Sequence, residues 1–469
     1  MRKALLNLIL FFLLPFLQVF AQQSTLSKEE RGYLSKGYRI DKNGWTFLHL
    51  EGSPFEIGFQ RGYLTAKEIF DFCQAEKILI KYTTSQDYDF FVKKATELFR
   101  DKVSGEYIEE MQGMVAGADR AGQAITFDEI LFLNGFIDLK WYWWPSVKDE
   151  VIKKDGGPGC SAFIATGKQT RDGKIVMAHN SWCGYPEAKF FNVIVDLVPE
   201  EGHRILMQAW GPLIYSGSDF FITGAGLIGT ETTIGGFKGY DTSGTPIFER
   251  ARKAMQYANS IDEWANTLIE KNSGAYANSW LLGDINTNEI ARLELGLKFH
   301  SLEKTADGYY AGSNVTSNPQ ILHGESDGIF DDIRDNIVAR RVRWNRLMNE
   351  YEGSIDVALA KQMLADHYDT YLEVDRPGNR TICGHIELND GKVPSISLPY
   401  YPAGAFDGKV VTSEMAKSWQ IWAKWGHPCD SSFRADEFLE KHQQYDWMAP
   451  VLKDIIAGQW TVFPLGKEE

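Results

Sequence analysis

The sequence predicts an α+β fold. Three observations carry the prediction: residues 53–140 read mainly as helix, residues 160–234 read mainly as strand, and no fixed repeat or low-complexity linker divides the chain. Helices in blocks and strands in blocks favour packed α and β layers over alternating βαβ units. The chain has 469 residues, enough for a large core in one or two domains. Its net charge of −14 and the lack of a basic stripe argue against nucleic acid as a partner.

Met1 to Gln22 reads as a secretory signal: Arg2 and Lys3 open it, Leu5 to Phe20 are apolar, and Ala21 offers a cleavage point. The expected products are a signal peptide over 1–21 and a secreted or periplasmic chain. No later segment is long and apolar enough to span, so no integral membrane span is expected after signal removal.

Residues 22–159 form the expected mainly helical N-terminal segment. Trp45 to Leu50 is a short strand candidate. Ser53-Pro54-Phe55-Glu56 combines a capping box with proline at the first helical position, opening a helix towards Tyr82. A second helix covers 105–120, and Thr126-Phe127-Asp128-Glu129 caps a third running to about Leu139. Trp141-Tyr142-Trp143-Trp144-Pro145 is either an aromatic wall for an apolar ligand or ordinary packing.

The texture changes at Cys160. Residues 160–166, 174–182, 190–197 and 204–210 are β-rich, and Arg171-Asp172-Gly173 marks a turn between the first two. Helices return over 246–271, with strands at 279–284 and 289–295. Further helices are expected over 330–351 and 355–367, with a Trp-rich one over 413–425. Residues 160–469 are the expected catalytic region.

The run Gly156-Gly157-Pro158-Gly159-Cys160 bends the chain just before a cysteine that opens a strand. Scission after Gly159 would leave Cys160 with thiol nucleophile and amine base on one residue. The five cysteines are odd in number and include no CxxC pair. No HExxH and no Cys/His cluster at ligand spacing appears, so neither metal nor cofactor is expected.

A hairpin through the 171–173 turn returns His179 and Asn180 beside Cys160. The first is a candidate for orienting the thiol, the second for holding the new amine or substrate. Asn278, entering a later strand, is a candidate oxyanion donor or a turn cap. Arg380 is a candidate carboxylate binder or an internal ion pair. Gly324-Glu325-Ser326-Asp327-Gly328 matches a nucleophile elbow in letters, but Pro319 and the acidic flanks disfavour the strand–turn–helix context that an elbow requires.

Cys160-Ser161-Ala162, Met177-Ala178-His179-Asn180-Ser181-Trp182, residues 215–221 and 226–234, and Asn272 to Trp280 together resemble phospholipase B-like proteins. Residues 51–62 and 380–383 look more like the penicillin (isopenicillin N) acyltransferase family. Both families are N-terminal-nucleophile (Ntn) hydrolases. The resemblance implies a four-layer αββα sandwich and autocatalytic cleavage between Gly159 and Cys160. It also implies acyl ester or amide hydrolysis, with an acyl-lipid or N-acyl small molecule as substrate. Carried over by position, Cys160 is the nucleophile and Asn278 the oxyanion residue. His179, Asn180 and Arg380 complete the catalytic set, and Trp182, Glu231 and Thr232 bind substrate. The two fragments should stay associated, because amphipathic helices need a partner surface. The rival expectation is a non-catalytic exported lipid- or glycan-binding protein on the same fold, using the segment around Trp143.

Overall fold

The structure is a computed structural model that describes residues 26–148, 159–217, 219–396 and 398–466. The expected signal peptide and the bend at Gly156-Gly157-Pro158 lie outside the described residues.

Two large sheets form the centre. The first uses β1 (Tyr38–Lys42) and β2 (Trp45–Gly52). The second begins with β3 (Gly159–Thr166) and β4 (Val176–Gly184). The chain then returns to the first sheet with β5 (Val193–Pro199), β6 (Ile205–Ala209), β7 (Phe220–Thr223), β8 (Leu227–Thr233), β9 (Asn278–Asp284), β10 (Glu289–Leu295) and β11 (His300–Thr305). It closes the second with β12 (Gly308–Gly312), and, after the small hairpin of β13 (Tyr368–Asp369) and β14 (Val374–Asp375), with β15 (Ala403–Ala405), β16 (Asp407–Thr412), β17 (Ile421–Trp425) and β18 (Thr461–Phe463). The first sheet has nine strands in the order β1-β2-β5-β6-β7-β8-β9-β10-β11. The second runs β12-β3-β4-β16-β17-β18, with β15 also on β4.

The sheets pack face to face: Ile164 of β3 and Ile175, just before β4, meet Ile228 of the other sheet over Gly283, where a side chain would crowd all three at 3.0–3.2 Å. Helices cover both outer faces. Trp264 of the helix Ile261–Ile269 stacks on Phe221 of the first sheet at 5.9 Å. Trp344 of the helix Asn336–Glu350 packs edge-on to Phe163 of the second at 5.4 Å. This is the four-layer αββα order that the resemblance implies.

The N-terminal segment is helical as read, but it also builds the sheet: β2 pairs parallel with β5 over Thr46–Gly52 and Val193–Pro199. The Ser53 capping box is present, and its helix ends at Leu64, with Ala66–Thr84 continuing after a break at Thr65. Four glycines let this helix touch the helix Gly105–Arg120 backbone to backbone. A side chain at Gly58, Gly62, Gly113 or Gly117 would strike a main-chain oxygen within 2.2 Å.

One expected helix is corrected. Residues 413–425 are not helical throughout: the helix ends at Lys417, Trp419 takes a left-handed φ of 56°, and Ile421–Trp425 is a strand. Pairing of β17 with β16 and β18 inside the sheet overrides the local helical pattern.

Candidate active site

The hairpin of β3 and β4 forms as its turn signal predicts, with Cys160 opposite Ser181, Ser161 opposite Asn180, and Ala162 opposite His179. Side chains alternate along a strand. Cys160 therefore looks towards the first sheet, whereas the Ser161 hydroxyl accepts from Arg340 of the covering helix at 3.1 Å.

Cys160 is buried, and its Sγ lies 3.4 Å from Glu231 Oε1 on β8. One ring nitrogen of His179 completes a trio, with all three donor atoms within 4.8 Å of one another. The backbone of Cys160 is equally fixed. Its N–H donates to Asn314 Oδ1 at 3.0 Å, and its carbonyl accepts from Arg340 Nη1 at 2.5 Å. Arg340 Nη2 also donates to Asn314 Oδ1 at 2.9 Å, so one amide oxygen gathers the nitrogen of residue 160 and a guanidinium.

Behind Glu231 stand Asp219 and Tyr276. The Tyr276 hydroxyl is bonded to Asp219 and lies 3.3 Å from Glu231 Oε1 and 3.1 Å from Gly217 O. Asp219, Tyr276 and Asn314 all have left-handed backbones, with φ of 59°, 56° and 71°. For a bulky residue such as Tyr276 that conformation is costly and persists only where the surroundings enforce it.

The electrostatics follow from burial. Burial, then the Glu231 and Asp219 carboxylates, push the Cys160 thiol well above its ordinary value. Burial raises Glu231 to about 7, against hydrogen bonds from Asp219, Cys160 and Tyr276 that favour its charged form. Asp219 is also raised well above its ordinary value, by burial and then by the Glu231 charge, because two adjacent buried carboxyls resist ionising together. Burial and the Lys409 ammonium hold His179 well below the ordinary imidazole value, so the ring is neutral. Lys409 is itself fully buried, bonded to Asp407 Oδ2 at 2.9 Å, to Ser181 Oγ at 2.7 Å and to Gln208 Oε1 at 2.5 Å.

Asn278 opens β9 in register with Thr233, two residues along β8 from Glu231. Its side-chain nitrogen and oxygen are buried and have no hydrogen-bond partner among the described residues. His179 likewise has both ring nitrogens unpaired among the described residues. Asn180, by contrast, is fully engaged. Its Oδ1 accepts from Ser161 N (3.2 Å) and Trp182 Nε1 (3.1 Å), and its Nδ2 donates to Leu364 O and Ile382 O. Trp182 lines a cavity of about 90 Å³ with Gly159, Asn314, Arg340, Ile386 and Ile396, and the Arg340 guanidinium stacks on its ring at 4.2 Å. Thr232 leans on Gly312, whose lack of a side chain makes room for it. Arg380 is ion-paired with Asp369 at 2.9 Å. The guanidinium at Cys160 belongs to Arg340.

Sequence reasoning did not single out Arg340, Asn314 or Lys409, each reaching Cys160 or Ser181 from more than 150 residues away. A larger cleft of about 500 Å³ lies between residues 39–46, Glu68–Phe72 and Lys189–Val193, with no cysteine, serine or histidine in its lining. Trp143 and Trp144 are buried against Phe90 and Phe91, so the aromatic segment packs the interior. Ser326 follows the helix Pro319–Gly324 and donates to Leu322 O at 2.7 Å, a turn rather than an elbow. Among the described residues no helix is long and apolar enough to cross a membrane.

The family model described as Phospholipase B matches residues 37–317, a stretch that includes Cys160, His179, Glu231, Asn278 and Asn314. A phospholipase B from Crotalus adamanteus is 25% identical over 502 aligned positions, covering 90% of this chain and 88% of that one. An uncharacterized protein from Archaeoglobus fulgidus is 29% identical over 57% of this chain, which spans 45% of that relative's length. Among solved structures, an arginine-to-leucine variant of conjugated bile acid hydrolase from Clostridium perfringens aligns with 57% of this chain and 89% of its own, at 8% identity. The TM-score of that alignment is 0.32.

Proposed function

This chain belongs to the phospholipase B family, and on that footing we propose that it is an exported, self-processing cysteine hydrolase that cleaves acyl ester or amide bonds. The observation that carries the proposal is the placing of Cys160. Its sulfur lies against a carboxyl poised near neutrality, and its nitrogen is already held by Asn314.

In the uncut chain the buried thiol is protonated and needs a base. Glu231, once ionised, accepts that proton. The thiolate attacks the Gly159 carbonyl, the carbon–nitrogen bond to Cys160 breaks, and the proton passes to the departing nitrogen. Water then hydrolyses the thioester, leaving a Gly159 carboxylate, a free thiol and a free α-amine. That amine is the nitrogen bonded to Asn314 Oδ1. The nearby Arg340 cation disfavours its protonation and so keeps it in the free-amine form that can accept a proton.

In turnover the amine takes the thiol proton and the sulfur attacks the substrate carbonyl. The idle Asn278 amide is the candidate donor to the oxyanion. The leaving alcohol or amine departs with the proton, and water releases the acid from the acyl-enzyme. His179, neutral and close to the sulfur, orients the thiol. Trp182, Glu231 and Thr232 are proposed to bind an acyl-lipid or N-acyl small molecule. The fragments 22–159 and 160–469 stay associated through the β2–β5 ladder.

Intact mass of purified protein tests the reading: two fragments meeting at Gly159 and Cys160 are expected, and only one chain in Cys160→Ala. Fully active protein with an unbroken chain would reject it. A panel of phospholipids and N-acyl amides assigns ester or amide preference. The binding-only alternative would survive if thiol alkylation left ligand binding intact and no hydrolysis were measurable.

A further inference from the structure

A second sulfur–imidazole cluster lies beyond the region that the family model matches. His367, Cys383, His385 and Cys429 each offer one donor atom, and all four atoms lie within 4.8 Å of one another. Cys383 Sγ and Cys429 Sγ stand 3.6 Å and 3.5 Å from His385 Nε2. With metal–sulfur and metal–nitrogen bonds of about 2.3 and 2.05 Å, a tetrahedral zinc site has a sulfur–nitrogen edge of about 3.6 Å. The two sulfur–nitrogen edges at His385 therefore match that value, and the remaining donor atoms lie within 4.8 Å.

Its surroundings also suit a metal. His385 Nδ1 lies 2.9 Å from Glu387 Oε1, which fixes the ring and turns Nε2 inward. Glu387 Oε2 in turn accepts from the Tyr185 hydroxyl at 2.8 Å. A carboxylate behind a ligating histidine is the usual outer support of zinc. His367 Nε2 is buried, and the His367 side chain reaches the Cys429 sulfur. His427 stacks on His385 at 4.2 Å and closes one side.

We propose that His367, Cys383, His385 and Cys429 bind one zinc ion as a closed structural site. Two thiolates and two imidazoles favour zinc over harder cations, and four protein ligands leave no open position for catalysis. The ion would tie the loop 378–385 to the segment 427–429. That loop packs directly on β4: Ile382 O accepts from Asn180 Nδ2 at 3.0 Å, and Gly384 lies flat on the Trp182 ring. The metal would thus brace the strand facing Cys160 from behind, through residues whose sequence spacing conceals them.

The test is metal content of the full-length purified protein by plasma mass spectrometry, with cobalt(II) titration of the metal-stripped chain. One zinc per chain and thiolate-to-cobalt charge-transfer bands are expected. Cys383→Ser and Cys429→Ser should each lose the zinc, and Cys160→Ala should keep it. If those serine variants do not fold, the cobalt spectrum of Cys160→Ala decides, because that variant lacks the sulfur of the competing trio: charge-transfer bands retained support the site, and bands lost overturn it. Peptide mapping that finds Cys383 joined to Cys429 by a disulfide, with no metal bound, would overturn the proposal. Zinc lost from Cys160→Ala but kept in the other two would overturn it as well, by placing the ion at Cys160, His179 and Glu231.

Discussion

Cys160 and Cys429 each sit beside histidine, yet their surroundings act on the sulfur in opposite directions. At Cys160 two carboxyls approach the thiol and burial is complete, so the proton is held on. At Cys429 the neighbours are donors: Cys383 first, then His367, His385 and Ser431, and they pull the thiol far down. The histidines differ in the same way. His179 meets the Glu231 backbone, whereas the His385 ring is fixed by the Glu387 carboxylate. A sulfur that must wait for a base and a sulfur ready to bind a cation need the same residue types in different company.

The largest expected effect comes from removing the waiting sulfur. Cys160→Ala should abolish both chain scission and hydrolysis, read by intact mass and by acid release. Next is its base. Glu231→Gln should slow scission by at least a hundredfold. In the unmutated chain the scission rate should rise with pH through about 7, as Glu231 loses its proton, and then level off. The stability sign is opposite. A carboxyl raised in the folded state stabilises below its unfolded value, and that contribution is lost as pH rises towards the folded value, by roughly 1.4 kcal/mol per unit. The melting temperature of Glu231→Gln should therefore gain on the parent between about pH 4.5 and 7. An unchanged difference would show that Glu231 titrates normally.

Asn278→Ala should lower kcat of the processed enzyme by about 10²–10³-fold with little change in KM, the pattern of a lost oxyanion donor. Chelation of the second cluster should lower the melting temperature and leave Cys160 open to alkylation, which separates bracing from chemistry. The smallest effect is expected at Trp143→Phe, which should cost about 1–2 kcal/mol of stability and leave hydrolysis unaltered. A selective loss of substrate binding would restore the aromatic-wall reading.

Local signals carried well from sequence to structure. The capping boxes at Ser53 and Thr126 and the turn before β4 are contiguous, and each produced the element expected. The Ser260 cap is half of a box: its hydroxyl accepts from Glu263 N, while the Glu263 carboxylate turns to Asn259 N. What stayed hidden was non-local. Arg340 and Asn314 meet Cys160 only because the covering helix and the end of β12 converge on β3, and no spacing rule announces that. The same holds for Cys429, separated from His385 by 44 positions and brought to it by the path after β17. The β17 segment misled because its first residues do start a helix, and only sheet pairing after Trp419 reverses it.

The place of β2 between β1 and β5 has one more consequence. Stripping away the first 148 residues would bare the flank of β5, with Val193, Ile194 and Val195 lying along it. An unpaired apolar margin of that kind recruits other chains. Proteolytic trimming of the leader should therefore end in precipitate rather than in a smaller soluble enzyme.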